Sequence, residues 1–278
     1  MRDALFAFEP VIRLGAFAGV FVVMAVWEFI VPRRKQAIGR SWRWPNNLGV
    51  VVVDTLLVRV LLPTTAVGVS LLAEARGFGL FNVFELPVWL GVVASVAILD
   101  LAIYLQHVLF HAVPGLWRLH RMHHADLEID VTTGLRFHPI EILLSMLIKF
   151  AVVAALGAPA VAVLIFEVLL NATSMFNHSN VRIPSGIDRV LRWIVVTPDM
   201  HRVHHSILPR ETNSNFGFNL PWWDRMFGTY RAAPRAGEKN IVIGLPIFRD
   251  LAELRITRLL TQPFRSDKNP AKPGEIHR

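Results

Sequence analysis

Long apolar runs divide this chain. The first, from about Leu14 to Val31, is long enough to cross a bilayer and stops at Pro32. A second extends from about Leu48 to Ala73, and a third from about Pro87 to Leu109. A fourth stretch, Ile142 to Met175, is broken by Gly157-Ala158-Pro159 into halves of about 15 to 17 residues, short for a full span. The pattern predicts an all-α integral membrane bundle of about three spanning helices plus a short helical hairpin, either spanning or re-entrant. From about Val181 to Pro263 apolar and polar positions mix, which predicts a cytoplasmic cap of short helices. Residues 1–263 read as one membrane-embedded domain, and the polar residues 264–278 as a disordered tail.

Composition supports the bilayer as solvent. The chain has 278 residues, 53% of them hydrophobic, and a mean hydropathy of +0.44, above that of soluble domains. Asp3 and Glu9 precede the first run and no small-residue cleavage site follows it, so it reads as an anchor, not a secretory signal. The net charge of +8 raises nucleic acid as a partner. The cations argue against that: Arg33, Arg34, Lys35, Arg40 and Arg43 crowd the end of the first run, the pattern of anchoring at the cytoplasmic leaflet. That orientation, carried through the spans, brings the third run to its cytoplasmic end near His107 and His111. It returns both ends of the hairpin, His138 and His178, to the same side.

Cysteine is absent, so any metal must be held by nitrogen and oxygen. Histidine is abundant and clustered. Of eleven, eight form His107-x-x-x-His111, His120-x-x-His123-His124 and His201-x-x-His204-His205, with His138 and His178 between the last two groups. Positions i, i+3 and i+4 share a helix face, and neutral imidazole is the commonest protein ligand of transition metals. Ten rings on one side of the membrane are too many for one ion, which points to two metals, with a redox di-iron pair the natural choice for oxygen chemistry. His277, in the tail, is excluded.

Two further stripes run down the apolar helices. Asp100, Tyr104, His107 and His111 align on one face, and Glu167, Asn171, Ser174 and His178 on another. Acids within apolar runs face a bundle interior with a partner. Asp100 and Glu167 therefore either orient ligand rings or line a proton path, or neutralise a buried base, for which Arg59 is the candidate. Trp222 and Trp223 read as an interfacial belt more readily than as a substrate mouth.

These residues resemble the membrane fatty acid hydroxylase and sterol desaturase superfamily. The three histidine boxes carry the likeness, reinforced by Arg136-Phe-His138-Pro-Ile-Glu141, Asn177-His178-Ser-Asn180 and Trp223-Asp224-Arg-Met-Phe-Gly228-Thr229. It covers roughly residues 100–230. The resemblance implies a non-haem di-iron centre of two Fe ions, O2 as co-substrate, and hydroxylation or desaturation of an unactivated C–H bond in a lipid such as a sterol or fatty acyl chain. It carries the ligand role to His107, His111, His120, His123, His124, His201, His204 and His205, with His138 and His178 as additional ligands, and makes Glu141 and Asn180 orienting groups. With no G-x-G-x-x-G and no Walker loop, electrons are expected from a separate ferredoxin, cytochrome or reductase. A compact bacterial inner-membrane enzyme fits this reading.

Two other classes compete. A membrane metallohydrolase would activate water on a lipid ester, but such sites mix carboxylates with histidine. A non-enzymatic metal or haem carrier needs only one or two facing axial histidines per haem, which adjacent His-His pairs suit poorly.

Overall fold

The computed structural model describes residues 7–84 and 86–266; His277 and most of the expected tail lie outside the described residues. Within them the chain is helical, and its only extended pairings are the isolated bridges Pro32–Val181 and Ser206–Ile243.

The helices are α1 (Glu9–Ile30), α2 (Arg40–Leu61), α3 (Ala66–Ala75), α4 (Leu80–Val83), α5 (Val88–Ala112), α6 (Pro114–His124), α7 (Pro139–Leu156), α8 (Ala160–Asn177), α9 (Ser185–Leu191), α10 (Pro198–His204), α11 (Pro209–Thr212), α12 (Trp222–Met226) and α13 (Ile256–Leu259). Proline sets many boundaries. It opens α1, α6, α7 and α10, where a missing N–H costs nothing. Five described stretches are long and apolar enough to cross a membrane: Glu9–Ile30, Arg40–Val83, Val88–Ala112, Pro139–Leu156 and Ala160–Asn177. The second is interrupted between α2 and α3. The hairpin helices α7 and α8, 18 residues each and so about 27 Å long, qualify by the same measure as the first three. Helix formation satisfies the backbone, as hydrocarbon demands, and lipid-facing positions such as Val22, Phe29, Val93 and Leu105 are exposed and apolar.

The helix ends sort into two groups. At one end, Arg33 N–H of the α1–α2 turn donates to the Asn180 carbonyl beyond α8 (2.7 Å), and Arg43 near the start of α2 pairs with Asp126 after α6 (2.7 Å). At the other end Gly79 meets the α7–α8 turn. A Cβ on Gly79 (φ +103°) would fall 2.2 Å from the Gly157 nitrogen, and Gly157 itself (φ +62°) caps α7. Both positions need glycine, for conformation and for contact. Ser70 Oγ donates to the Ala158 carbonyl beside them (2.5 Å). Between the ends lies an apolar core including Leu99, Ile103, Val153, Val163 and Phe166.

The basic cluster after α1 is spent differently from the expectation of free headgroup anchors. Arg43 is fully buried on Asp126 and Asp130, Arg33 pairs with Asp199 (2.9 Å), and Arg40 with Glu28 (3.2 Å). Arg43 and Arg33 thus fasten the start of α2 and the α1–α2 turn to residues flanking the histidine boxes, and Arg40 ties α2 to α1. Burial would raise the Asp126 carboxyl, but Arg43 and Arg136 overcome it and hold it at about 2.

Candidate metal centre

The turn between α5 and α6 builds the first half of the site. Val113 precedes Pro114 and is extended (φ −95°, ψ 117°), as a pre-proline residue is pushed to be. The chain folds back there, so α6 lies against the end of α5. His107 then faces His120, with Nε2 atoms 3.1 Å apart, and one turn on His111 faces His124, also at 3.1 Å. The short helix α10 is nucleated by Thr197, whose side chain accepts from Met200 N–H, and by Pro198. It brings the third box against both.

Nine rings gather into two adjoining groups. His107, His111, His120, His124 and His204 form one; His123, His178, His201 and His205 form the other, each with its ligand atoms within 4.8 Å of one another. Each five-residue box splits the same way. His120 and His124 go to the first group while His123 crosses to the second; His201 and His205 go to the second while His204 crosses to the first. All nine are buried except His111, which is half-buried.

The ring protons show what the groups require. His107 Nδ1 donates to the Phe216 carbonyl (2.7 Å), His123 to Arg136 (3.1 Å), His178 to Ser174 (2.7 Å) and His204 to Ser214 (2.8 Å). His120 Nδ1 donates to the Glu141 carboxylate (2.6 Å). A neutral ring that donates from Nδ1 has a bare lone pair at Nε2. Yet His178 and His123 hold their Nε2 atoms 3.0 Å apart, and His107 and His120 do the same at 3.1 Å. No proton remains to bridge either pair, and facing lone pairs need a cation between them. The spacing fits one, since ligand atoms at about 2.1 Å from an ion lie about 3 Å from each other. Burial first, and then neighbouring rings, hold His123, His124, His201, His204 and His205 well below the usual imidazole range; burial pushes His178 down to about 3. Those six rings stay neutral at neutral pH and keep their lone pairs. The residues fit a pair of transition-metal ions.

His138, expected among the ligands, lies outside both groups. It is the N-cap of α7: Nδ1 accepts from Ile140 N–H (3.2 Å) and Nε2 donates to the Leu260 carbonyl (3.2 Å). The proline that follows it forces this extended, capping role. The acids also depart from expectation. Arg59 is exposed and serves neither. Glu167 pairs with buried Lys149 and half-buried Arg13, each at 2.7 Å, and so neutralises these cations. Asn171 only donates to the Glu167 carbonyl within α8 (2.8 Å). Asp100 accepts from Trp223 Nε1 (2.8 Å) and Leu220 N–H (3.2 Å), so it secures a loop and not an imidazole. Asn180 ties the α1–α2 turn, accepting from Arg34 N–H and donating to the Arg34 carbonyl.

Tyr104 reaches the site indirectly. Its hydroxyl bonds Thr229 Oγ1 (2.8 Å), and Thr229 donates to Asp224. Asp224, a role unassigned by sequence, accepts from Phe216 and Gly217 N–H (2.8 and 2.9 Å). That clamp fixes the very carbonyl on which His107 rests. The motif Trp223-Asp224 signalled it; the acceptor carbonyls themselves carry no signal in side-chain identity.

Residues 92–229 match the fatty acid hydroxylase family model. Over 99% of its length the chain is 33% identical to an ornithine lipid hydroxylase, OlsE, of Rhizobium tropici, covering 85% of that protein. The chain belongs to the fatty acid hydroxylase family. It is also 26% identical to alkylglycerol monooxygenase of Xenopus tropicalis over 76% of its own length, and 28% identical to cholesterol 25-hydroxylase of Rattus norvegicus over 52%. It spans about half of these two, 46% and 48%. No solved structure matches it.

Proposed function

We propose that this family member is a membrane-bound di-iron oxygenase that hydroxylates a C–H bond of a membrane lipid, desaturation being the related outcome. The observation that carries it is the pair of adjoining all-histidine groups with facing bare Nε2 atoms. The overall change is R–H plus O2, two electrons and two protons giving R–OH and water. Bound there, two iron ions supply the oxygen activation that an unactivated C–H bond demands.

The chain's own residues do the rest. His107, His111, His120, His124 and His204 hold one ion, and His123, His178, His201 and His205 the other. Glu141 keeps a proton on Nδ1 of His120 and so aims its Nε2 inward. Phe137 stacks on His123 (4.4 Å between centroids) and Phe218 lies 5.1 Å from His107; these rings exclude water from an oxidising site. All-histidine ligation favours this reading over a hydrolase, which mixes carboxylates with imidazole. The lipid tail arrives from the bilayer, and electrons come from a separate ferredoxin, cytochrome or reductase. We place the metal-bearing end on the cytoplasmic side of a bacterial inner membrane, by the basic turn after α1. The near full-length relation to OlsE makes ornithine lipids the first substrates to test; sterols, ether lipids and fatty acyl chains follow.

The test is expression in iron-replete cells, metal analysis of the purified protein, and mass spectrometry of membrane lipids under isotopically labelled O2. Two irons per chain and a lipid carrying one labelled oxygen are expected. Lipid turnover without O2, or one metal per chain, overturns the assignment.

A further inference from the structure

The segment from about Val181 to Pro263 was expected to form a cytoplasmic cap of short helices. Part of its surface is strongly apolar. Ile187, Val190, Trp193, Ile194, Met226 and Phe227 are all exposed, Met226 at 69%. They form one continuous face, because Trp222 Nε1 donates to the Trp193 carbonyl (2.7 Å), and the Arg225 guanidinium stacks on the Trp193 ring at 3.8 Å while donating to the Arg192 carbonyl (3.1 Å). A contiguous apolar face of this kind marks a contact surface.

Its depth identifies the contact. Asp100, which holds Trp223 and Leu220, lies twelve residues before the end of α5 at Ala112, about 18 Å along a helix rising about 1.5 Å per residue. Tyr104, stacked on Phe227 at 5.4 Å between centroids, lies eight residues before that end, about 12 Å along it. The other half of the face is equally deep. Val181 pairs with Pro32 just past α1, but Val195 lines a groove with Val23 and Met24 of α1 and Thr173 and Phe176 of α8. Val23 sits seven residues before Ile30, about 10 Å down. The chain therefore descends after Val181, runs beside lipid-facing positions, and climbs again to His201. Around it α1 presents Val22 and Val26, and α5 presents Leu105 and Leu109, all exposed.

We propose that residues 187–195 and 222–227 form an in-plane element immersed in the acyl-chain region of the leaflet at the metal-bearing end. The partner is the lipid bilayer itself. The face is continuous with the apolar belt of the spanning helices; Arg182 stands exposed just before the element and Arg189 is exposed within it, with a stem long enough to carry its charge to the headgroups, the aromatic and cationic arrangement of a membrane interface.

Because the chain has no cysteine, single-cysteine labelling of the full-length protein tests this. Ile194→Cys, Met226→Cys, Val26→Cys on α1 and Lys239→Cys, beside the Arg33–Glu238 pair, are labelled with bimane in phosphatidylethanolamine–phosphatidylglycerol vesicles. Quenching by acyl-chain-brominated lipid is compared with quenching by iodide. Labels at 194 and 226 are expected to lose most of their fluorescence to brominated chains and little to iodide, like 26 and unlike 239. Quenching at 194 and 226 by iodide alone means a water-facing cap and overturns the proposal. Protection from both quenchers means a covering protein or second copy, and overturns it too. Failure of Val26→Cys to report lipid would refute the membrane reading on which the proposal rests.

Discussion

The two histidine groups differ in how their rings are braced. In the five-membered group four rings have an Nδ1 partner in the surrounding protein: Phe216 and Ser214 carbonyls, the Asn213 side chain and the Glu141 carboxylate. In the four-membered group His123 and His178 rest on carbonyls, whereas Nδ1 of His201 and Nδ1 of His205 are buried without a hydrogen-bond partner; each group also has one such Nε2, at His204 and at His205. A buried polar group without a partner costs about 1–3 kcal/mol. One group is thus arranged by its scaffold, and the other depends more on what it binds. The first has a ligand to spare, and its His111 faces a partly open edge; the second is sealed and has none.

The comparison breaks most sharply by removing one ring from each group. His201→Ala leaves three nitrogens and is expected to lower activity by more than about 100-fold, with loss of one iron by metal analysis. His111→Ala leaves four and should retain more iron and more turnover. Equal losses in the two variants would erase the difference drawn here. Glu141→Gln tests the scaffolded side more gently. It is expected to cost about 10–100-fold in metal affinity, read as faster iron loss to a chelator in a protein that inserts normally. Unchanged retention would leave Glu141 with no part in aiming His120. The smallest effect belongs to His138→Ala, a lost helix cap worth about 1 kcal/mol, seen as a lower midpoint of thermal unfolding at full iron content. Loss of a metal in that variant would return His138 to the ligand set.

Much of this was legible in the residues because it rests on periodicity. Apolar runs marked the five long helical stretches, and i, i+3, i+4 spacing marked the boxes. What stayed hidden depends on folding at a distance. Backbone carbonyls orient His107, His123, His178 and His204, and a carbonyl looks the same after any residue. Arg59 was the natural mate for an acid by depth alone, but Lys149 and Arg13 reach Glu167 instead, and indole and amide N–H groups serve Asp100. His138 stands apart from both groups although its motif carried it with the other rings, and the Pro139 beside it signalled a helix start. Short helices of mixed polarity say nothing about their depth, so the level at which residues 181–263 sit was not legible either.

The division of each box between two groups makes α6 and α10 act as gauges. Adjacent rings at 123 and 124, or at 204 and 205, diverge to opposite sides, so the spacing of the two groups is tied to the step of about 100° between neighbouring helix positions. Loops elsewhere can lengthen, and the walls that meet a lipid can change, without altering that interval. A single residue inserted between His120 and His123 would rotate the rings out of step and undo both centres together.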